Sequence, residues 1–259
     1  MREDATYAEA MLFDHEPDWI PAGLELIERQ DLLAWRRPGW PASHSCVAYA
    51  RWNDSMVERG IDEALAFFGQ QPFNWDVGPS SSPTDLGERL VRRGLELVEA
   101  PRMMTATLPL SGAWPVPAGL RIEHVSDEST ARLSLELAHH DGDELEMMLS
   151  DRLAYLASAG RRGGFLIAFI GDVPVGNAGY RYSADGACVY LTGAETVPEH
   201  RGRGVYKALV AFRAAAAQAH GCRLASILAN GETSAPILAR RCFVDHGPLP
   251  RYVSPARYA

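Results

Sequence analysis

A short turn rich in glycine and arginine, Arg201–Gly204, separates an apolar stretch from an amphipathic pattern. Residues 187–197 before it predict a strand, and apolar side chains at helical spacing after it predict a helix: Val205, Ala208, Leu209, Phe212, Ala216 and Ala219. Such a junction directs backbone N–H groups and the positive end of a helix dipole at one point, which suits a pyrophosphate. The glycines allow a ligand to approach the backbone closely, and the arginines add positive charge.

An ordinary basic turn before a surface helix is the alternative interpretation of these residues. The segment has the order of elements that a nucleotide site requires: a strand, Pro198, the glycines Gly202 and Gly204, and an amphipathic helix. A bare repeat of arginine and glycine would not show that order, so we favour the nucleotide site.

The segment Arg201-Gly-Arg-Gly204-Val-Tyr206 resembles the acetyl-CoA-binding motif of the GCN5-related N-acetyltransferases (GNAT), usually written R/Q-x-x-G-x-G/A. Val197–His200 is similar to the family's lead-in, whereas Tyr206 stands where a small residue is usual. The resemblance implies that acetyl-CoA is a cosubstrate. It further implies that these residues bind it: Thr196, Val197, Arg201, Gly202, Arg203, Gly204, Val205, Tyr206 and Asn230.

The stretch Leu110–Gly119 is rich in proline and glycine and has no periodicity, so it predicts a connection between two domains, 1–114 and 115–259. After it, the predicted order of elements is β-α-α-β-β-β-α-β-α-β. That order is similar to the order in the acetyltransferase family over essentially all of residues 119–259. The resemblance implies an α/β (α+β) fold with a mixed sheet.

The end of the chain is also similar to the family, with two departures. Ala235–Phe243 resembles the family's last helix and the phenylalanine that follows it, and Asn230 precedes that helix. Leu238 stands where a tyrosine is frequent, and Cys242 stands where a glycine is usual. The family tyrosine often protonates the departing CoA thiolate, which Leu238 cannot do. Either no acid is needed, or Tyr252 or Cys242 substitutes, or the domain binds acyl-CoA without efficient turnover; we favour the first.

The first half resembles a second, degenerate acyl-CoA N-acyltransferase-like domain, which implies a tandem arrangement. Residues 52–68 predict a helix, 73–77 a strand, and 95–108 two short strands around Pro101. Asp85 with Glu88 three residues later resembles a capping box at the start of another helix. This half lacks the R-x-x-G-x-G turn and is not expected to bind acetyl-CoA. An unrelated α+β cap domain is the alternative.

Acetyl transfer to an amine needs a positioned thioester, donors for the developing oxyanion and an acceptor for the amine's proton. The backbone N–H groups near Thr196 and Val197 are candidates for the donors. Gly193 is a candidate for a β-bulge that opens the central strand. Glu195 is the candidate base. The alternative for Glu195 is a solvated carboxylate or one paired with an arginine.

A polar loop between the first two helices of the second half carries the candidate acceptor-binding residues. The family resemblance implies that this loop shapes the acceptor pocket, and its polar side chains are His139, His140, Asp141 and Glu144. A merely solvated loop is the alternative. The histidines show no metal-ligand spacing, so no metal is predicted.

Composition limits the partners. The chain of 259 residues has a formal net charge of −8, which argues against nucleic acid or an anionic membrane as the main partner. No apolar run approaches the roughly 20 residues that span a bilayer. The four cysteines are scattered, which predicts reduced thiols and a cytoplasmic location.

Together these patterns predict a CoA-dependent N-acetyltransferase whose acceptor is the amine of a small molecule. Two alternatives stay open. One is a regulatory protein that binds acyl-CoA without acceptor chemistry. The other is a tandem-domain synthase of the mycothiol-synthase type. The acceptor itself is set by loop packing, which the sequence does not specify.

Overall fold

Two mixed β-sheets organise the chain. The computed structural model describes Glu9 and residues 21–254, so the outermost parts of the two predicted domains lie outside the described residues. The α/β class with mixed sheets is confirmed. Among the described residues the strands are β1 (Glu25–Glu28), β2 (Leu32–Arg36), β3 (Cys46–Ala50), β4 (Asn74–Asp76), β5 (Glu96–Glu99), β6 (Arg102–Thr107), β7 (Leu120–His124), β8 (Gly163–Ile170), β9 (Val173–Tyr182), β10 (Cys188–Thr196), β11 (Leu224–Ala229), β12 (Val244–Pro248) and β13 (Arg251–Val253).

The helices pack on these sheets with one apolar face each. They are α1 (Val57–Phe68), α2 (Leu86–Arg92), α3 (Glu128–Glu136), α4 (Gly142–Ala157), α5 (Val205–His220) and α6 (Ser234–Ala239). Helix α1 begins five residues later than the periodicity predicts, because the side chain of Trp52 packs into the core beside Trp75. The helix ends at Gly69, whose φ of 61° leaves the helical region.

The capping box predicted at Asp85 and Glu88 does not form. The Asp85 side chain makes no cap bond, because its carboxylate accepts the Nε–H of Arg89 at 3.0 Å. A reciprocal cap is found instead at the start of α3, where Asp127 accepts the backbone N–H of Thr130 at 2.8 Å.

The two sheets exchange one strand each. The six-stranded sheet has the order β1-β2-β3-β4-β13-β5, and the seven-stranded sheet has the order β12-β6-β11-β10-β9-β8-β7. Strand β6 therefore belongs with the second half, and β13 belongs with the first. The division between the sheets differs from the predicted boundary at residues 114 and 115. The two differ because Met104 and Ala106 of β6 pack into the core under α5 and α6.

Helices cover both faces of the seven-stranded sheet. Along β8, Leu166 and Ala168 face α5, whereas Ile167 and Phe169 face α3 and α4. Because β8 is buried on both faces, its side chains are apolar on both faces. Helix α6 lies beside α5 on the same face.

A partly buried ion pair connects the two halves. The guanidinium of Arg37, on the loop after β2, donates to both carboxylate oxygens of Asp151 on α4 at 3.0 and 3.1 Å. Arg37 is 4% exposed and lies over the ring of Trp40, 3.5 Å from its centroid. Helix α4, and with it the loop between α3 and α4, is thus fixed against the first half.

Candidate active site

The central strand β10 carries a bulge and then parts from its parallel neighbour. Against β9 its register shifts between Thr192 and Glu195, which confirms the bulge predicted at Gly193. Against β11 it pairs only over three residues, from Cys188 to Tyr190. Beyond Tyr190 the two strands diverge, and the opening exposes backbone groups of β10 to whatever enters it.

A cleft of about 700 Å³ occupies this opening and extends to the start of α5. Seven of the nine predicted acetyl-CoA residues line it; Val197 and Arg203 do not. The cleft also holds Glu195 and His139. Its complete lining is His139, Ala194, Glu195, Thr196, His200, Arg201, Gly202, Gly204, Val205, Tyr206, Lys207, Leu228, Asn230, Thr233, Ser234 and Ile237.

The glycine turn has the backbone that its sequence requires. Gly202 and Gly204 have φ values of 75° and 93°, which side-chain-bearing residues rarely adopt. Gly204 is the N-cap of α5, so the first free N–H groups of a 16-residue helix point at the cleft. Arg201 is held across the turn, because its Nε donates to the carbonyl of Thr196 at 3.1 Å.

One of the predicted oxyanion donors is already engaged. The backbone N–H of Val197 donates to the carbonyl of Val175 on β9 at 3.0 Å, so it does not face the cleft. Donor direction alternates along an antiparallel pair, and the N–H of Thr196 therefore points away from β9, toward the opening. The prediction is corrected accordingly: of these two amides, only that of Thr196 is available.

Two buried polar atoms in the cleft residues have no hydrogen-bond partner. They are the hydroxyl of Thr196 and Nδ1 of His200. Buried polar groups are nearly always paired in folded proteins, so unpaired ones in a cleft wall indicate a place where a ligand's polar atoms fit.

The predicted acceptor residues separate into two groups. Nε2 of His139 lies 3.7 Å from the carboxylate of Glu195, and both side chains line the cleft. His140 instead pairs with Glu144, with Nδ1 and Oε1 3.0 Å apart, away from the cleft lining. Asp141 occupies the N-cap position of α4, where its side chain makes no cap bond.

Tyr206 and Asn230 line the cleft while also making structural contacts. Tyr206 packs against the core beneath α5, and its burial raises the pKa of its phenol. The Asn230 side-chain oxygen accepts the backbone N–H groups of Glu232 and Thr233 at 2.9 and 3.1 Å, which fixes the turn before α6. A direct role for the Asn230 side chain in ligand binding is thereby limited.

Both substitutes considered for the family tyrosine lie outside the cleft lining. Leu238, at the tyrosine position, is fully buried. Tyr252 belongs to β13 in the other sheet, and Cys242 packs against the core of the second sheet.

Sequence reasoning missed a second cavity on the other side of the opening. It has a volume of about 530 Å³ and shares Leu228 and Asn230 with the cleft. Its walls come from both halves of the chain: Glu99, Ala100, Pro101, Tyr190, Gly193, Leu228, Asn230, Gly231, Glu232 and Arg251. No pattern in the sequence brings Glu99 and Arg251 to β10, because only the exchanged strand β13 places them there.

The two mixed sheets have the acyl-CoA N-acyltransferase-like fold. Residues 130–241 match the model of the acetyltransferase (GNAT) family, so the second half of the chain contains a GNAT domain. A search of curated proteins gave no match.

Solved structures share the fold over nearly the whole chain. A GCN5-related N-acetyltransferase from Kribbella flavida superposes with a TM-score of 0.70 at 18% identity, covering 97% of this chain and 95% of the other. A tandem GNAT protein from the clavulanic acid biosynthesis pathway gives 0.60 at 16% identity, covering 100% and 96%. A GCN5-related N-acetyltransferase from Sphaerobacter thermophilus gives 0.61 at 18%, covering 91% and 77%. These likenesses establish the fold.

Across the part of the chain that is described, no group of His, Cys, Asp or Glu side chains could hold a metal ion. A separate property concerns membranes: within residues 21–254, none of the helices is both long and apolar enough to cross a bilayer.

Proposed function

We propose that the protein transfers an acetyl group from acetyl-CoA directly to the amine of a small-molecule acceptor. The observation that carries this proposal is that one cleft holds both the turn Gly202–Gly204 and the carboxylate of Glu195. The GNAT domain at residues 130–241 supports the same class of reaction.

The described residues fit acetyl-CoA as a substrate. The N–H groups at the start of α5 and the side chain of Arg201 would bind the pyrophosphate. The pantetheine arm would follow β10 beyond Tyr190, where β11 no longer pairs with it. The unpaired hydroxyl of Thr196 lies in the wall along that course and would hydrogen-bond a polar group of the arm.

In the reaction, the amine nitrogen attacks the thioester carbonyl carbon. The C–N bond forms, the C–S bond breaks, and the electron pair leaves with the CoA sulfur. Glu195 accepts the proton that the nitrogen loses, and the backbone N–H of Thr196 donates to the carbonyl oxygen as it gains charge. Much of the rate comes from holding the two substrates in line.

The acceptor would approach through the second cavity. Glu99 and Glu232 place two carboxylates in its wall, and the guanidinium of Arg251 is already bound by Asp76 and Glu99 at 2.7–2.9 Å. Carboxylates without a free cation favour a positively charged amine over an acid.

A cytoplasmic location stays a prediction, and the four cysteines form no disulfide among the described residues.

Free thiol release by the full chain tests the proposal. We expect calorimetry to show that the full chain binds acetyl-CoA. We also expect it to release thiol only when an amine is added, tested with a panel of diamines, amino acids and amino sugars. Binding without amine-dependent release would favour the regulatory alternative. Absence of binding would overturn the assignment of the donor site.

A further inference from the structure

A buried arginine without a carboxylate partner lies beneath the bulge of β10. Arg213, on α5, is 2% exposed and forms no ion pair with any described residue. Its Nε donates to the carbonyl of Leu209 in its own helix at 3.0 Å. Burial without a counter-charge lowers the pKa of its guanidinium to about 10.

The guanidinium ties two strands together at the edge of the bulge. Nη1 of Arg213 donates to the carbonyl of Gly179 on β9 at 2.7 Å and to the carbonyl of Thr192 on β10 at 3.0 Å. Gly179 and Thr192 lie directly opposite each other, and theirs is the last regular pair before the register shift. One nitrogen thus bridges both strands where the ladder breaks.

The threonine side chain opposite Gly179 requires a glycine at that position. A Cβ at Gly179 would lie 2.3 Å from the hydroxyl oxygen of Thr192, so only glycine admits the threonine side chain across the pair. The carbonyls of the pair are reached by Arg213 from α5, which packs on β9 and β10.

We propose that Arg213 is a positioning residue that holds the bulge at Gly193–Ala194 and thereby keeps β10 apart from β11 beyond Tyr190. The inference rests on the proposed function, because that opening is where the pantetheine arm of acetyl-CoA would lie. Arg213 acts on binding through the shape of β10 and contacts no substrate.

Stability alone does not account for a charge at this position. Nη2 of Arg213 has no hydrogen-bond partner, and a buried guanidinium without a carboxylate loses hydration that its few bonds only partly replace. An apolar side chain of similar length removes that cost, although it also leaves the two carbonyls without their donor. A methionine variant is therefore expected to fold and to fail in binding.

The experiment compares Arg213→Met, Arg213→Lys and the control Arg152→Met in the full chain. Arg152 is a half-buried arginine in the same half of the chain, and it donates to Ser134 between α3 and α4, on the opposite face of the sheet. Acetyl-CoA affinity is measured by calorimetry, the melting temperature by circular dichroism, and amide hydrogen exchange over residues 188–196 by mass spectrometry.

The expected result is that Arg213→Met melts near the parent temperature but binds acetyl-CoA at least about tenfold more weakly. Arg213→Lys, which can donate to one carbonyl at a time, should lose less affinity, and Arg152→Met should keep it. Exchange in Arg213→Met should accelerate at 192–196 and not at 188–190. A folded Arg213→Met whose affinity and exchange match those of the parent would overturn the proposal.

The exchange measurement separates this inference from the proposed function. If the parent protein binds no acetyl-CoA, the donor site is refuted, and faster exchange confined to 192–196 still supports the role of Arg213 in the bulge. If Arg213→Met does not fold, Arg213→Lys decides: faster exchange confined to 192–196 supports the proposal, and parental exchange refutes it.

Discussion

Nε2 of His139 lies 3.7 Å from Oε2 of Glu195, although the two residues belong to different elements, the loop between α3 and α4 and the strand β10. His139 is the one non-glycine residue with a positive φ, 63°, within the described part of the chain. Backbone held in this sparsely populated region is found preferentially at functional sites. Both side chains are exposed, 71% for His139 and 47% for Glu195, so solvent reaches the pair.

Replacing Glu195 by Gln should lower turnover by about a hundredfold and leave acetyl-CoA affinity nearly unchanged. Gln keeps the shape of the side chain but accepts no proton. Steady-state kinetics measures the turnover, and calorimetry measures the acetyl-CoA affinity. A variant that runs within a few-fold of the parent would remove Glu195 from catalysis and leave the acetyltransferase proposal standing.

Replacing Gly204 by Ala should weaken acetyl-CoA binding by about tenfold or more, because the positive φ resists a side chain and the turn must shift away from the pyrophosphate. Gly221, at the other end of α5, provides a matched control, with a φ of 105° and open space around it. Gly221→Ala should reduce the melting temperature similarly and leave affinity unchanged. Equal affinity losses in both variants would refute a pyrophosphate site at the turn.

Replacing Arg37 by Met should cost about 2–3 kcal/mol of unfolding free energy, because the partly buried Asp151 loses its bidentate partner. Urea denaturation measures the loss. Arg29→Met is the control: its ion pairs with Asp31 and Glu63 are exposed, and its loss should stay below about 1 kcal/mol. A loss at Arg37 no larger than that at Arg29 would show that the ion pair between the two halves contributes little.

Stability should fall as the pH drops below about 6.5, in part because of His44. Its burial, with the charge of Arg37 beside it, lowers its folded-state pKa, so the unfolded chain binds more protons in the window below the ordinary value. The stability that neutral His44 contributes is complete above its ordinary pKa. That stability is lost as the pH falls toward the folded-state pKa. His44→Gln should flatten the melting temperature between about pH 5 and 6.5. An unchanged slope would contradict the shift.

A fragment of residues 115–259 should fail to fold, because it lacks β6, which lies between β11 and β12. Unpaired strand edges then promote aggregation. The longer fragment 100–259 restores β6 and should be more soluble and show more native-like circular dichroism. Equal behaviour of the two fragments would show that β6 is dispensable for the second sheet.

The glycine turn could be predicted from the sequence because its chemistry is local. Gly202 and Gly204 determine the backbone, and the helix after them determines where its N–H groups point. The engaged amide of Val197 could not be predicted, since it depends on the register between β10 and β9. Arg213 was likewise hidden: on a helix, a buried arginine and an exposed one have the same sequence signature.

The strands of the first half show the same limit. Strands β1, β2 and β3 went unpredicted, whereas the short strands β5 and β6 on either side of Pro101 were predicted. The sequence did not predict that β5 and β6 belong to different sheets, because strand pairing across a hundred residues or more leaves no local pattern. The second cavity depends on that assignment and was therefore missed.

The exchanged strand β13 has a consequence for how the protein acquires its structure during synthesis. It lies between β4 and β5, in the interior of the first sheet, yet it is made after the whole second sheet. The first half therefore leaves the ribosome with a gap between β4 and β5, and that gap stays open until Arg251–Val253 emerges. The first sheet, whose strands are made first, is therefore completed last.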